Sequence, residues 1–193
     1  MQSKWPLWLG VVAGALAVIL ALGTGGDSVD QWRLAARWTA RTGFLLFILT
    51  YCASSLVRLW PNRATKALLR DRRWWGLGFA ACHTIHLGAF LTYFRTSGEP
   101  IPTGTVIVAG FGYLLLYAMA ATSNRAAMQA LGRNWKRLHK TGIHYLWFIF
   151  AFSYVGRVAD PERAVYGVPL FAVAVLAALL RFTAYLKSRR RIA

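Results

Sequence analysis

Six stretches of the chain are long and apolar enough to cross a membrane as helices, and polar segments separate them. A helix needs about 20 mainly apolar residues to cross the hydrocarbon core of a bilayer. We expect the spans at about residues 5–22, 43–60, 74–95, 105–121, 140–156 and 168–186. The pattern therefore predicts an all-α, integral membrane six-helix bundle that forms a single transmembrane domain over residues 1–193.

The segments between the spans differ in charge. The polar segment from Ser28 is expected to form a short surface helix that leads into the second span. The segments at 61–73 and 122–140 are rich in Lys and Arg and are expected to be basic loops. A cleaved signal peptide is the alternative for the first span, because glycines follow its apolar run.

A membrane location explains both the high positive charge of the chain and its high hydrophobic content. Hydrophobic residues make up 57% of the sequence, and the formal net charge is +17. A nucleic-acid-binding domain carries such charge on a soluble face, whereas these Lys and Arg residues lie in short segments between apolar spans. We therefore predict the lipid bilayer as a partner and exclude nucleic acid.

The distribution of charge predicts the topology, because Lys and Arg near span ends accumulate on the cytoplasmic face. Lys4, the two basic segments and the tail KSRRRIA fall on one side and carry most of the Lys and Arg. Five of the six acidic residues fall on the other side, namely Asp27, Asp30, Glu99, Asp160 and Glu162. Both termini are therefore predicted to be cytoplasmic, and the third and fifth spans are predicted to run parallel.

All four histidines lie in or beside two of the predicted spans. His83 and His86 lie at the centre of the third span, and His139 and His144 lie at the start of the fifth. A polar ring inside a membrane is costly and is by default a candidate functional group. Residues three apart lie about 60° apart around a helix, so both rings of the third span can face the same neighbour. Imidazoles from two membrane helices are typical of axial ligands to haem iron.

Helix geometry limits how the four histidines combine. His139 and His144 lie about 140° apart around a helix, so they are not expected to face the same partner. The expected depth of His83 or His86 in the membrane is closer to that of His144 than to that of His139. Haems on histidines three to five residues apart would collide, so one haem is expected and two haems are the alternative. An ordinary polar contact is the alternative for each histidine, most of all for His139 beside the basic segment.

The two cysteines carry no metal-binding or haem-attachment motif. Cys52 and Cys82 both lie inside predicted spans and form neither CxxC nor CxxCH. We interpret them as small buried residues without a disulfide framework.

Four motifs between residues 39 and 157 resemble a known family. They are RTG at 41–43, RRWWGL at 72–77, HTIHL at 83–87 and LGRNWKRLH at 131–139. The last motif is the most specific. Together they resemble the ferric reductase-like transmembrane domain superfamily, and most closely the haem-binding membrane subunit of the bacterial periplasmic methionine-sulfoxide reductase system.

The resemblance implies a six-helix bundle with haem b between the third and fifth helices. His86 carries over as the third-helix ligand, and His139 as the first histidine of the fifth helix. The family usually has a second histidine thirteen residues later, where this sequence has Phe152. A gapped match gives that role to His144. Flavin and quinone are further candidate cofactors.

These features predict a membrane cytochrome b in the bacterial inner (cytoplasmic) membrane. It is expected to transfer electrons to a periplasmic oxidoreductase or a ferric acceptor at the outer face. The chain lacks a Gly-rich dinucleotide motif and has no room for a flavin or NAD(P)H domain, so a quinone or a separate flavoprotein is the expected donor. Sulfoxide reduction itself would belong to the partner, so whether this chain is itself an enzyme stays open.

Two other classes of function fit a small membrane bundle. The first is a transporter or assembly factor whose histidines bind a transition metal or relay protons. The second is a structural membrane subunit without a cofactor. Redox-active absorbance distinguishes the cytochrome from both.

Overall fold

The computed structural model describes residues 3–190, which are α-helical with short connections and contain no strand. The predicted all-α class is confirmed. The helices are α1 (Trp5–Leu22), α2 (Ser28–Leu59), α3 (Arg63–Arg70), α4 (Arg72–Ser97), α5 (Thr103–Ala121), α6 (Arg125–Leu131), α7 (Arg133–Val158) and α8 (Pro161–Arg189). The end of the predicted basic tail, residues 191–193, lies outside the described residues.

Of the helices in residues 3–190, five are long and apolar enough to cross a membrane, namely α1, α2, α4, α5 and α8. The chain is therefore a multi-pass membrane protein. The predicted fifth span, 140–156, lies on α7, whose first half is less apolar because basic residues and histidines occupy it. Six crossings and cytoplasmic termini stay predictions.

The predicted surface helix and the second span form one continuous helix, α2, which ends before Pro61. We predicted the two basic segments as loops. This prediction is wrong in part, since the segments contain the short helices α3 and α6. Each begins with an asparagine whose side chain accepts a backbone hydrogen bond, at 2.9 Å from Thr65 N to Asn62 and at 2.8 Å from Ala127 N to Asn124. Such caps satisfy the first free N–H groups of a helix and favour its start there.

One glycine of the LGRNWKRLH motif separates α6 from α7. Gly132 has a φ of 50°, in the left-handed region that favours residues without a Cβ. The motif therefore carries a backbone requirement, because the chain changes direction here before the helix that holds His139 and His144.

The contacts divide the chain into two compact units. Unit 1 comprises Met1–Leu49 and Arg70–Gly110, and unit 2 comprises Thr50–Leu69 and Phe111–Ala193. Helices α2 and α5 contribute residues to both units. The single transmembrane domain stays a prediction.

In unit 1, α1 and α4 pack in parallel through small residues. A Cβ at Gly10 would overlap the backbone of Gly78. A Cβ at Gly14 would lie 2.9 Å from Ile85 Cδ1 and 3.3 Å from Cys82 Cα. Lipid tails are as apolar as the helix surface, so close packing of small residues is what holds such helices together. The thiol of Cys82 is free and buried against this contact.

In unit 2, α7 packs against α8 in the antiparallel direction. The Trp147 indole N–H donates to the carbonyl of Ala174 at 2.9 Å, and a Cβ at Gly167 would lie 2.9 Å from Arg157 Cβ. The last turns of α2 also pack on α8, where the Arg181 guanidinium donates to the carbonyl of Tyr51 at 2.6 Å. These bonds satisfy polar groups that lipid cannot.

The start of α4 is held by a buried carboxylate. Asp71 has a side chain only 5% exposed, accepts two bonds from Arg70 at 2.8 and 3.1 Å, and accepts one from Ser3 N at 3.1 Å. The hydrogen bonds from Arg70 hold the pKa of Asp71 below its usual value, although burial opposes the shift. Asp71 therefore joins the segment before α1 to the first turn of α4.

Candidate functional site

His86 lies on α4 and is paired with a threonine of α2. The Thr39 hydroxyl oxygen lies 3.1 Å from His86 Nδ1. The same hydroxyl is 2.6 Å from the carbonyl oxygen of Ala35 and 3.2 Å from that of Ala36. Thr39 is fully buried, so water does not compete for these bonds.

The Thr39 bonds determine which His86 nitrogen carries the proton. A hydroxyl has one hydrogen, and we assign that of Thr39 to the carbonyl of Ala35, the nearest of its partners. With this assignment, the hydroxyl oxygen accepts a hydrogen bond from His86 Nδ1–H. In the neutral ring, Nε2 then carries the lone pair, and this is the form in which imidazole binds a metal.

His83 lies one turn before His86 and packs against α2. Its ring is 5.0 Å from the His86 ring and 4.7 Å from the Phe79 ring, between centroids. A Cβ at Gly43 would overlap the imidazole of His83, 2.8 Å from Cε1. Gly43 is therefore the position on α2 that leaves space for this buried ring.

His139 in unit 2 has a threonine partner that engages the other ring nitrogen. The Thr122 hydroxyl oxygen lies 3.1 Å from His139 Nε2 and 2.7 Å from the carbonyl oxygen of Ala118. By the same reasoning, the Thr122 oxygen accepts a hydrogen bond from His139 Nε2–H. The ring also stacks on Trp135, with centroids 4.2 Å apart. His139 is thus engaged at the helix start, and its Nε2 is not available to a metal in this arrangement.

His144 has the same available nitrogen as His86. Its Nδ1 lies 2.7 Å from the carbonyl oxygen of Lys140, one turn earlier on α7. A carbonyl can only accept, so Nδ1 carries a proton, and in the neutral ring Nε2 then carries the lone pair. The side chain is exposed, and its ring lies 6.0 Å from that of Tyr51.

The structure brings His83 and His86 together in unit 1, whereas His139 and His144 have separate partners on α7 in unit 2. Within residues 3–190, no group of three or more His, Cys, Asp or Glu side chains is arranged to hold a metal ion. The available donors are single imidazole nitrogens. This donor chemistry fits an axial haem ligand, which supplies one neutral nitrogen per face of the iron.

The chain is similar over almost its whole length to proteins named protein-methionine-sulfoxide reductase heme-binding subunit MsrQ. The Yersinia pseudotuberculosis protein is 29% identical over 194 residues, which cover 93% of this chain and 89% of its own length. The Yersinia pestis protein is also 29% identical, over 93% of this chain and 87% of its own. This chain is their homologue. The resemblance based on the motifs is thereby confirmed.

No family model matches the chain. No solved structure matches it either. Membership of the wider ferric reductase-like superfamily therefore stays a prediction.

The sequence did not identify Thr39 and Thr122 as partners of the histidines, and Gly43 was named only as part of the RTG motif. Thr39, Gly43 and Thr122 are 47, 40 and 17 residues from the rings that they contact. A threonine inside an apolar span has no distinctive spacing. The signal that could have identified Thr39 is its position, since a hydroxyl at this depth needs a partner.

Proposed function

We propose that this chain is the haem-binding membrane subunit of a methionine-sulfoxide reductase system. In this role it passes electrons to an oxidoreductase on the periplasmic side of the bacterial inner membrane. The name of the homologues supports the haem and the reductase partner. The observation that carries the proposal is the 3.1 Å contact between the buried Thr39 hydroxyl and His86 Nδ1, which leaves Nε2 as the nitrogen for iron.

His86 would hold the haem iron from α4, and His144 is the candidate ligand on α7. In both histidines, Nδ1–H donates a hydrogen bond to an oxygen of the protein, which leaves Nε2 for iron. His139 carries over from the family motif, but its Nε2 is engaged by Thr122. We therefore rank His144 ahead of His139, and the gapped match of the family motif agrees with this ranking.

The chain's own residues hold protons and shape the surroundings of the ligand. Thr39 and the carbonyl of Lys140 keep the Nδ1 protons in place. Phe90 lies next to His86, with ring centroids 6.2 Å apart, and Phe79 covers His83, so apolar rings limit the access of water. Haem b, when bound, supplies a reversible one-electron carrier. Held by two histidine side chains, the haem would suit electron transfer.

The electron donor and acceptor complete the proposal. A quinone or a separate flavoprotein would supply electrons, and sulfoxide chemistry would take place on the periplasmic partner. Ferric-ion reduction at the outer face is a variant in which the same chain acts on another acceptor.

A reduced-minus-oxidised absorbance spectrum of the detergent-purified protein tests this function, together with a pyridine haemochrome assay on the same sample. We expect a sharp α-band of low-spin haem b and about one haem per chain. A colourless protein from cells with ample haem would overturn the proposal and favour a transporter or assembly factor. A stoichiometry of two would overturn the one-haem assignment alone.

A further inference from the structure

Thr39 is the most deeply buried polar side chain in contact with a candidate ligand. Its residue exposure is 0%, and its hydroxyl joins the α2 backbone to the His86 ring of α4. With the hydroxyl hydrogen assigned to the carbonyl of Ala35, the oxygen accepts a hydrogen bond from His86 Nδ1–H. A buried hydrogen bond of this kind constrains a ring that could otherwise rotate about its χ2 angle.

We propose that Thr39 is a positioning residue that sets the orientation and electron-donating strength of His86, and through them the affinity and reduction potential of the haem. The inference rests on the proposed function. It concerns a residue outside the motifs on which the family resemblance rests, and it acts through His86 rather than on the iron.

The direction of the effect follows from the hydrogen bond. An acceptor on Nδ1–H increases the negative charge on the imidazole and makes Nε2 a stronger donor. A stronger donor stabilises oxidised iron more than reduced iron. Removal of the Thr39 hydroxyl should therefore raise the reduction potential and weaken haem binding. Changing an outer partner of this type costs about 10- to 100-fold in metal affinity.

Threonine hydroxyls often bond the carbonyl one turn earlier in a helix, so the bond to Ala35 alone carries no functional meaning. Thr92 on α4 makes the same local bond, at 2.8 Å to the carbonyl of Gly88. Thr92 lies between His86 and the end of α4, and its hydrogen bond is exposed. Thr92 therefore provides a matched control for loss of a helix-internal threonine bond.

The test compares Thr39→Val, Thr39→Ser and Thr92→Val in the full-length, haem-loaded chain. The midpoint potential is measured by spectroelectrochemistry, and haem affinity by the rate of haem transfer to an apoprotein acceptor. Thr39→Val should raise the potential and increase haem loss about tenfold. Thr39→Ser keeps the hydroxyl and should restore both values, while Thr92→Val should match the wild type.

A second measurement uses the wild-type protein and does not depend on the folding of a variant. Redox-difference infrared spectra with isotope-labelled histidine report whether a ligand Nδ1–H is hydrogen-bonded. Absence of that signal in the wild type overturns the inference. Equal potentials in Thr39→Val and the wild type also overturn it, since the hydroxyl would then have no influence on the haem. Absence of haem from the wild type would instead overturn the proposed function.

Discussion

Two threonine–histidine pairs, one in each unit, have the same chemistry and opposite orientation. Thr39 and Thr122 each donate their hydroxyl hydrogen to the carbonyl of an alanine one turn earlier. The Thr39 oxygen then accepts a hydrogen bond from Nδ1 of His86, whereas the Thr122 oxygen accepts one from Nε2 of His139. The position of a histidine in a membrane helix is therefore not enough to make it a ligand, because its hydrogen-bond partners decide which nitrogen is available.

The surroundings of the two rings strengthen the contrast. His86 lies among histidine and phenylalanine rings in the middle of α4. His139 lies in the second turn of α7, stacked on Trp135, whose indole N–H donates to the carbonyl of Thr122 at 2.9 Å. We interpret this second arrangement as a connection that joins the start of α7 to the end of α5.

The largest expected effect is loss of haem in His86→Ala. The variant removes the nitrogen that Thr39 orients, so we expect almost no haem to be retained in the purified protein. His139→Ala is the matched control and should keep most of its haem. The pyridine haemochrome assay, normalised to protein, measures both. If His139→Ala loses its haem and His86→Ala keeps it, the comparison between the two pairs is wrong.

The next effect concerns the second ligand. His144→Ala should lose the low-spin α-band and most of the haem, because its Nε2 is the available nitrogen on α7. The absorbance spectrum of the reduced protein, beside that of His139→Ala, shows which α7 histidine binds iron. A normal low-spin band in His144→Ala would transfer the ligand role to another residue.

A smaller effect is expected from Gly43→Ala, which adds a methyl group where the His83 ring lies. Overpacking of this kind costs about 1–3 kcal/mol of stability. Gly88→Ala on α4 is the control, because no atom lies within 4 Å of its added Cβ. Thermal unfolding in detergent compares the two. Equal midpoints would show that His83 moves away at little cost and does not help to define the unit 1 site.

The smallest effect is expected from the start of α4, the helix that carries His86. The pKa of Asp71 is lower in the folded protein than its unfolded value of about 4. Asp71 therefore contributes stability above that value, and the contribution is lost as the pH falls through the folded pKa. Asp71→Asn should lower the unfolding temperature at neutral pH and reduce the difference from the wild type below about pH 4.

Thermal unfolding between pH 3 and pH 7 checks this prediction. Asp160→Asn is a control in unit 2, since its carboxylate is more exposed, at 36%, and pairs with Arg163 at the start of α8. A difference between Asp71→Asn and the wild type that does not depend on pH would contradict the role of the carboxylate.

Much of the fold follows from local pattern. The first span ends at the predicted residues, Trp5 and Leu22, because an apolar run with flanking polar residues defines a membrane helix. The helix boundaries in the basic segments were not predicted, because α3 and α6 depend on asparagine caps rather than on hydrophobicity. The continuous α2 was predicted as two elements, because Gly43 looks like a helix boundary in the sequence but packs on His83 in the structure.

The sequence by itself determined the membrane class, the positions of most spans and the four candidate histidines, since hydropathy and residue type are local properties. Only the tertiary structure decided which ring nitrogen His86 and His139 direct to a threonine. That choice depends on oxygens such as Thr39 Oγ1, which lies 47 residues away along the chain and reaches the ring only when α2 and α4 pack. A proton on imidazole has two positions of similar energy, so the neighbouring acceptor selects between them.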